Sequence, residues 1–203
     1  YYNPLANQIT FPAAILQPPF FDPDAEPAMN YGAIGAVIGH EITHGFDDQG
    51  SRFGPTGNFE NWWTPADATG FTSRTDKLIK QFDAYEAMPG LKVNGKLTLG
   101  ENIADLGGLA TAYDAMKIAN KGKADPMTGG LSEDQRFFLS FGTAWRSHMT
   151  PEVMKVQLAS DPHSPAMFRA KGTPANLPAF AAAFKCKPGD SMMRTADQQV
   201  VIW

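Results

Sequence analysis

Val37-Ile38-Gly39-His40-Glu41-Ile42-Thr43-His44-Gly45-Phe46-Asp47-Asp48 reads as H-E-x-x-H inside an apolar run. On an α-helix, residues four apart differ by about 40° around the axis, so His40 and His44 share one face. Two imidazoles one turn apart can grip a tetrahedral zinc ion, one per chain. Glu41 stands beside the first histidine, where its carboxylate can reach a zinc-bound water and take its proton without becoming a ligand. The run from Met29 to Asp47 is nearly uncharged, and a helix apolar on all sides is expected inside a core. Close packing there would hold the ligand geometry.

Composition limits the alternatives. With 203 residues, 43% hydrophobic and 19% charged, the chain has the make-up of one folded domain with a sizeable core. A net charge of -4 and no dense basic run give no reason to expect nucleic acid; the closest approach, Lys117 to Lys123, reads as a solvated helix end. No apolar stretch is long enough to span a membrane, and no signal-peptide pattern opens the chain. The first residue is Tyr1, which suggests a processed product or part of something longer. The single cysteine, Cys186, excludes both an internal disulfide and a thiolate zinc cluster.

Outside the central motif, the pattern is mostly helical with minor β structure. Asn7 to Pro12 alternates like a short strand, an edge strand because proline cannot donate to a ladder, and Ala13 to Leu16 suits one helical turn ahead of Pro18-Pro19. Thr64-Pro65 starts a helix expected to reach about Ala87. Val93 to Leu97 resembles a hairpin turn. Further helices are expected over Leu99–Ala119, from Ser132 to about His148, over Val153–Ala159, and over Leu177–Phe184. Asp161-Pro162-His163-Ser164-Pro165 reads as a rigid turn.

Two histidines do not complete a metal site. A zincin with a third histidine needs it six residues after the second, where this chain has Gly50, so that class is excluded. A carboxylate from a later helix remains. Glu101 opens such a helix and Asp105 follows one turn on, on the same face. Glu101 can complete the metal site, and Asp105 can accept the N–H of a metal-binding imidazole and fix its tautomer. The 56 residues between His44 and Glu101 disfavour an ordinary thermolysin-type enzyme.

Ile38 to Asp48, together with Gly100-Glu101-Asn102-Ile103-Ala104-Asp105-Leu106-Gly107-Gly108, closely resembles the neprilysin/endothelin-converting-enzyme family of zinc metallopeptidases. Phe11 to Phe21, Asp161 to Pro165 with Phe168-Arg169, and the terminal Trp203 extend the resemblance along the whole chain. It implies an α+β, mostly helical zincin (thermolysin-like) catalytic domain spanning residues 1–203, with a small β element near the N-terminus. It also implies a zinc-dependent endopeptidase acting on oligopeptides, with His40, His44 and Glu101 as zinc ligands and Glu41 as general base. By the same resemblance Asp105 supports the first histidine and His163 stabilises the transition state, with Asp161 and Pro165 holding its turn. Arg169 would bond a substrate carbonyl. Ile15, Phe20, Ala36, Val37, Ala144 and Trp145 match an apolar pocket for the residue after the scissile bond, so cleavage is expected before bulky hydrophobic residues.

Two departures shape the remaining expectations. The family's N-terminal helical lobe is not represented, so the partners expected are peptide substrates and that missing lobe, in the same or a separate chain. Cys186 also lacks the mate it has in animal members, which suggests a bacterial enzyme, exported to the periplasm or outside the cell. A catalytically silent zinc-binding fragment, dependent on a second lobe or chain for activity, is the competing reading.

Overall fold

The computed structural model describes residues 1–202; Trp203, which entered the family resemblance, lies outside them. Strands β1 (Tyr2–Asn3) and β2 (Gln8–Ile9) pair antiparallel, and Ala13–Ile15 follows as a single 3-10 turn. The metal-motif helix begins at α1 (Pro27–Asn30), widens into a π-helical turn at Tyr31–Gly35, and continues as α2 (Ala36–Thr43). It closes in a 3-10 turn, His44–Phe46. Proline at the first helical position sets the start, since its missing N–H has no partner to lose there.

Helix α3 (Pro65–Asp83) is opened by a reciprocal cap: Asp67 N–H donates to Thr64 Oγ1, and the Asp67 carboxylate accepts from Thr64 N–H. It ends four residues short of the expected Ala87 because the chain turns into a hairpin, β3 (Glu86–Met88) with β4 (Leu91–Lys92). The expected hairpin turn at Val93–Leu97 is therefore misplaced. The reversal falls at Pro89-Gly90, where Gly90 takes φ +76°. Asn94 instead curls the backbone into the next helix, its Oδ1 accepting from Lys96 and Leu97 N–H.

Helix α4 (Leu99–Ala119) runs through the centre of the molecule. Ile103, Leu109 and Met116 are fully enclosed, each contributing about 1.5–3 kcal/mol by burial. Helix α5 (Glu133–Ala144) is capped by Ser132 with Gln135 and stops short of the expected His148. Its Phe137, Phe138 and Phe141 fill the core beside α4. Lys117 is more than a solvated charge, for it ion-pairs with Glu133 and Asp134 and ties the end of α4 to the start of α5. Then come α6 (Pro151–Ser160), α7 (Ala166–Gly172), which the pattern did not reveal, and α8 (Pro178–Phe184). The mostly helical fold class with a small N-terminal β element is what the chain forms.

Helices α2 and α4 cross where both are bare backbone. A Cβ on Gly39 would stand 2.7 Å from Gly108 O, and one on Gly108 only 2.4 Å from His40 N. Gly107 meets the Thr43 side chain just as closely. Hydrogen in place of a side chain lets the two axes approach, and the crossing places the N-terminal turn of α4 against His40 and His44.

The expectation that the motif helix is buried on all sides fails. Ile38, Ile42 and Phe46 are 39%, 48% and 45% exposed. They recur every fourth residue and form one stripe, while His40 and Thr43 face α4. Only one face of α2 meets the helical core; the other is an apolar surface with Ile9 and Trp62 beside it. Among the described residues no helix is long and apolar enough to cross a membrane.

Candidate active site

At the crossing, His40 Nε2 and His44 Nε2 lie 3.0 Å apart. Glu101 closes the triangle, with Oε2 3.2 Å from His40 Nε2 and Oε1 3.5 Å from His44 Nε2. Each imidazole is held from behind. His40 Nδ1 is 2.8 Å from Asp105 Oδ1, and His44 Nδ1 is 2.7 Å from Asp47 Oδ2. A carboxylate only accepts, so both Nδ1 atoms carry hydrogen and both Nε2 lone pairs turn toward one point.

That arrangement suits a cation. Tetrahedral bonds of about 2.0–2.1 Å put neighbouring ligand atoms roughly 3.3 Å apart, which matches the observed separations. Glu101 Oε2 is buried yet accepts no hydrogen bond, an orphan that an ion would satisfy. The two nitrogens and the carboxylate form a group able to hold a metal ion, all within 4.8 Å of one another. In the metal-free protein a proton competes for this place. Burial opposes the charged form of His40, but the Asp105 and Glu101 carboxylates outweigh it and raise its pKa to about 9. Burial likewise opposes ionised Glu101, and His40 prevails, holding the carboxyl below the usual range.

Asp105 has a second partner. Arg169 Nε and Nη2 donate to its two oxygens at 2.7 Å each, both side chains buried. Burial alone would raise the Asp105 pKa, but the guanidinium drives it well below the ordinary carboxylate value. The Arg169 guanidinium also lies over the Trp145 ring, 3.8 Å from its centroid. Asp105 thus links His40 to Arg169, and Nη1 is the arginine nitrogen not engaged by it.

His163 enters from the turn after α6. Asp161 Oδ1 accepts from both His163 N–H and the ring Nδ1, leaving Nε2 3.3 Å from Glu101 Oε1. Beside this cluster lies a cavity of about 220 Å³. Its walls include Ile15, Phe20, Ala36, Val37, Ala144 and Trp145, and His40, Glu41, His163 and Arg169 border it. The residues given metal, catalytic or pocket roles from the sequence therefore lie at one place, where the metal group meets the cavity. Asp47 was missed, although it stands three residues after His44, within reach on a helix end. Ala33 and Phe141 were also missed as cavity walls; Ala33 sits one turn before Val37, a spacing that could have found it.

Comparison with known proteins follows the same outline. The profile of peptidase family M13 matches residues 1–200. Neprilysin-3 of Drosophila melanogaster is 44% identical over 204 residues, covering 98% of this chain and 26% of the fly protein. Endothelin-converting enzyme 1 of Homo sapiens is 44% identical over 195 residues, 95% of this chain and 25% of that one. A crystal structure of the Mycobacterium tuberculosis zinc metalloprotease Zmp1 with an inhibitor superposes with a TM-score of 0.97 at 47% identity. It covers all of this chain and 32% of Zmp1. The chain spans about a quarter of the length of these curated relatives. With its profile matched almost end to end, the chain belongs to peptidase family M13.

Proposed function

We propose that residues 1–203 are the catalytic domain of a zinc-dependent endopeptidase that cleaves oligopeptides on the amino side of hydrophobic residues. One observation carries this reading: two imidazole nitrogens and a carboxylate converge on a single point beside Glu41 and an apolar cavity. The M13 relatives, among them the zinc metalloprotease Zmp1, support zinc as the ion.

His40, His44 and Glu101 would hold the zinc, with Asp105 and Asp47 fixing the two rings. Bound zinc supplies a water acidic enough to ionise near neutral pH and a Lewis-acid contact for the scissile carbonyl. Glu41 takes the proton of the attacking water and hands it to the departing amine. His163, its ring held by Asp161, donates from Nε2 toward the oxygen on which negative charge develops. Arg169 offers Nη1 to a backbone carbonyl of the peptide. The side chain after the scissile bond enters the cavity walled by Ile15, Phe20, Val37 and Trp145, where Ala36 and Ala144 leave room for Phe or Leu.

The rest of the enzyme is proposed to lie elsewhere in a longer polypeptide or a second chain, and to cover the Ile38, Ile42 and Phe46 stripe. The relatives' greater length supports that, as does the exposed apolar stripe itself. Work outside the cytoplasm is proposed from the family; fractionation of source cells tests it.

A quenched-fluorescence peptide series varied only after the scissile bond tests the activity, with chelator and with zinc restored. Cleavage should vanish with chelator, return with zinc, and favour Phe and Leu. Equal cleavage of charged and apolar peptides overturns the specificity. Glu41→Gln should retain stoichiometric zinc and lose turnover by about 10³-fold or more; loss of zinc would make Glu41 a ligand.

A further inference from the structure

The turn that carries His163 is joined to the helix that carries Glu101 by hydrogen bonds of fixed direction. Ser164 Oγ donates to Asn102 Oδ1 at 2.8 Å, Asn102 Nδ2 donates to Thr98 Oγ1 at 2.9 Å, and Thr98 Oγ1 donates to Asn94 O at 3.1 Å. The last acceptor is a backbone carbonyl, which cannot donate, so the Thr98 hydroxyl points its hydrogen there and receives the Asn102 amide. Asn102 must then offer its carbonyl oxygen to Ser164. Asn102 and Ser164 are each 1% exposed, so no solvent competes for the bond.

Apart from the His163–Glu101 contact itself, the turn's other hydrogen bonds do not reach α4, and the next hold on that helix is Arg169 on Asp105, from α7. Asp161 binds His163 within the turn itself, and Gln157 on α6 donates to His163 O. Helix α6 contains no fully buried residue and meets the core only through the half-buried Leu158, a weak anchor for the turn. Asn102 directly follows Glu101, and Ser164 directly follows His163. A bond between the second members of these pairs sets the spacing of the first, seen in the 3.3 Å from His163 Nε2 to Glu101 Oε1.

We propose that Asn102 and Ser164 are positioning residues for the peptidase reaction, a buried link that holds His163 at its working distance from the metal site. It rests on the peptidase reading above and assigns a role to two residues that touch neither metal nor peptide. Their effect passes through His163, so it should appear in the transition state rather than in peptide binding.

The test uses the zinc-loaded protein at its natural full length. Ser164→Ala should lower kcat about tenfold, the scale of one neutral hydrogen bond, with KM changed less than about twofold. Zinc content should be unchanged. Affinity for a phosphinic peptide that mimics the tetrahedral state should fall in step with kcat, while affinity for the product peptide holds. In the His163→Ala background the same change should cost less than about twofold, because the group it positions is gone. In the metal-free protein, amide hydrogen exchange at His163 and Ser164 should rise. Thr98→Val, which frees the Asn102 amide to turn, should give a smaller loss of the same kind, and decides the matter if Ser164→Ala misfolds. An unchanged kcat, a full tenfold loss in the His163→Ala background, or zinc lost in proportion to activity overturns the proposal. A wild-type protein inactive on every peptide overturns the peptidase reading instead, and the exchange experiment still decides whether the link holds the turn.

Discussion

The crossing of α2 and α4 and the segment from Asp161 to Arg169 both contribute to the candidate site, yet they are built by different means. At the crossing, backbone meets backbone at Gly39 and Gly108, and Gly107 seats against the Thr43 side chain, so little can adjust the distance. The later segment is placed by polar side chains: Ser164 on Asn102, Arg169 on Asp105, and Asp161 on His163. Rigid contact suits ligands that must keep angles around an ion. Hydrogen-bonded placement suits groups that meet a peptide and must tolerate its arrival and departure. The comparison teaches that the metal side and the substrate side should fail separately.

Gly108→Ala is the severest test. Its Cβ would fall 2.4 Å from His40 N and 2.6 Å from Ala36 O, both backbone atoms on a helix that cannot yield locally. The helices must part, at a cost above about 3 kcal/mol, beyond the usual overpacking range. Thermal denaturation and zinc analysis should show lower stability and lost metal together. A stable variant with full zinc would show that the crossing does not set the ligand distance. His163→Ala, on the other side of the comparison, should lower kcat by about 10²–10³-fold, as for other lost oxyanion donors, and leave zinc content and melting temperature alone. Zinc loss in that variant would merge the two regions.

The two regions also differed in how much of them the sequence made legible. His40, Glu41 and His44 could be read because helical spacing alone puts them on a face, and Glu101 with Asp105 by the same rule on α4. The extents of α4 and of the Thr64 and Ser132 caps followed from local chemistry that tertiary contacts did not override. The Arg169–Asp105 pair joins residues 64 positions apart, and no local rule points from one to the other. The same holds for Ser164 and Asn102, separated by 62. Helix α7 went unseen because its seven residues of mixed polarity show no period, whereas the equally short α8 is marked by Pro178 at its start and an alanine-rich run. The exposed stripe on α2 was misread because periodicity separates faces only where polarity differs, and this helix is apolar on both.

Two carboxylates that each hold a histidine ring sharpen the comparison further. Asp47 grips His44 while its other oxygen accepts Gln49 and Gly50 N–H, so it locks the ring to the turn that ends the motif helix. Asp47→Ala should weaken zinc binding by about 10–100-fold, measured by competition with a chromogenic chelator, since outer partners of metal ligands act on this scale. Asp161→Asn should do the least. The amide oxygen can still accept from His163 N–H and Nδ1, so the turn keeps its shape, but the bonds lose the charge assistance of a carboxylate acceptor. Zinc affinity should stay within about twofold of wild type and kcat should fall only a fewfold, a loss smaller than for His163→Ala because the donor remains in place. If Asp161→Asn instead released zinc as Asp47→Ala does, the substrate-side turn would be holding the metal site, and the two regions would have to be treated as one.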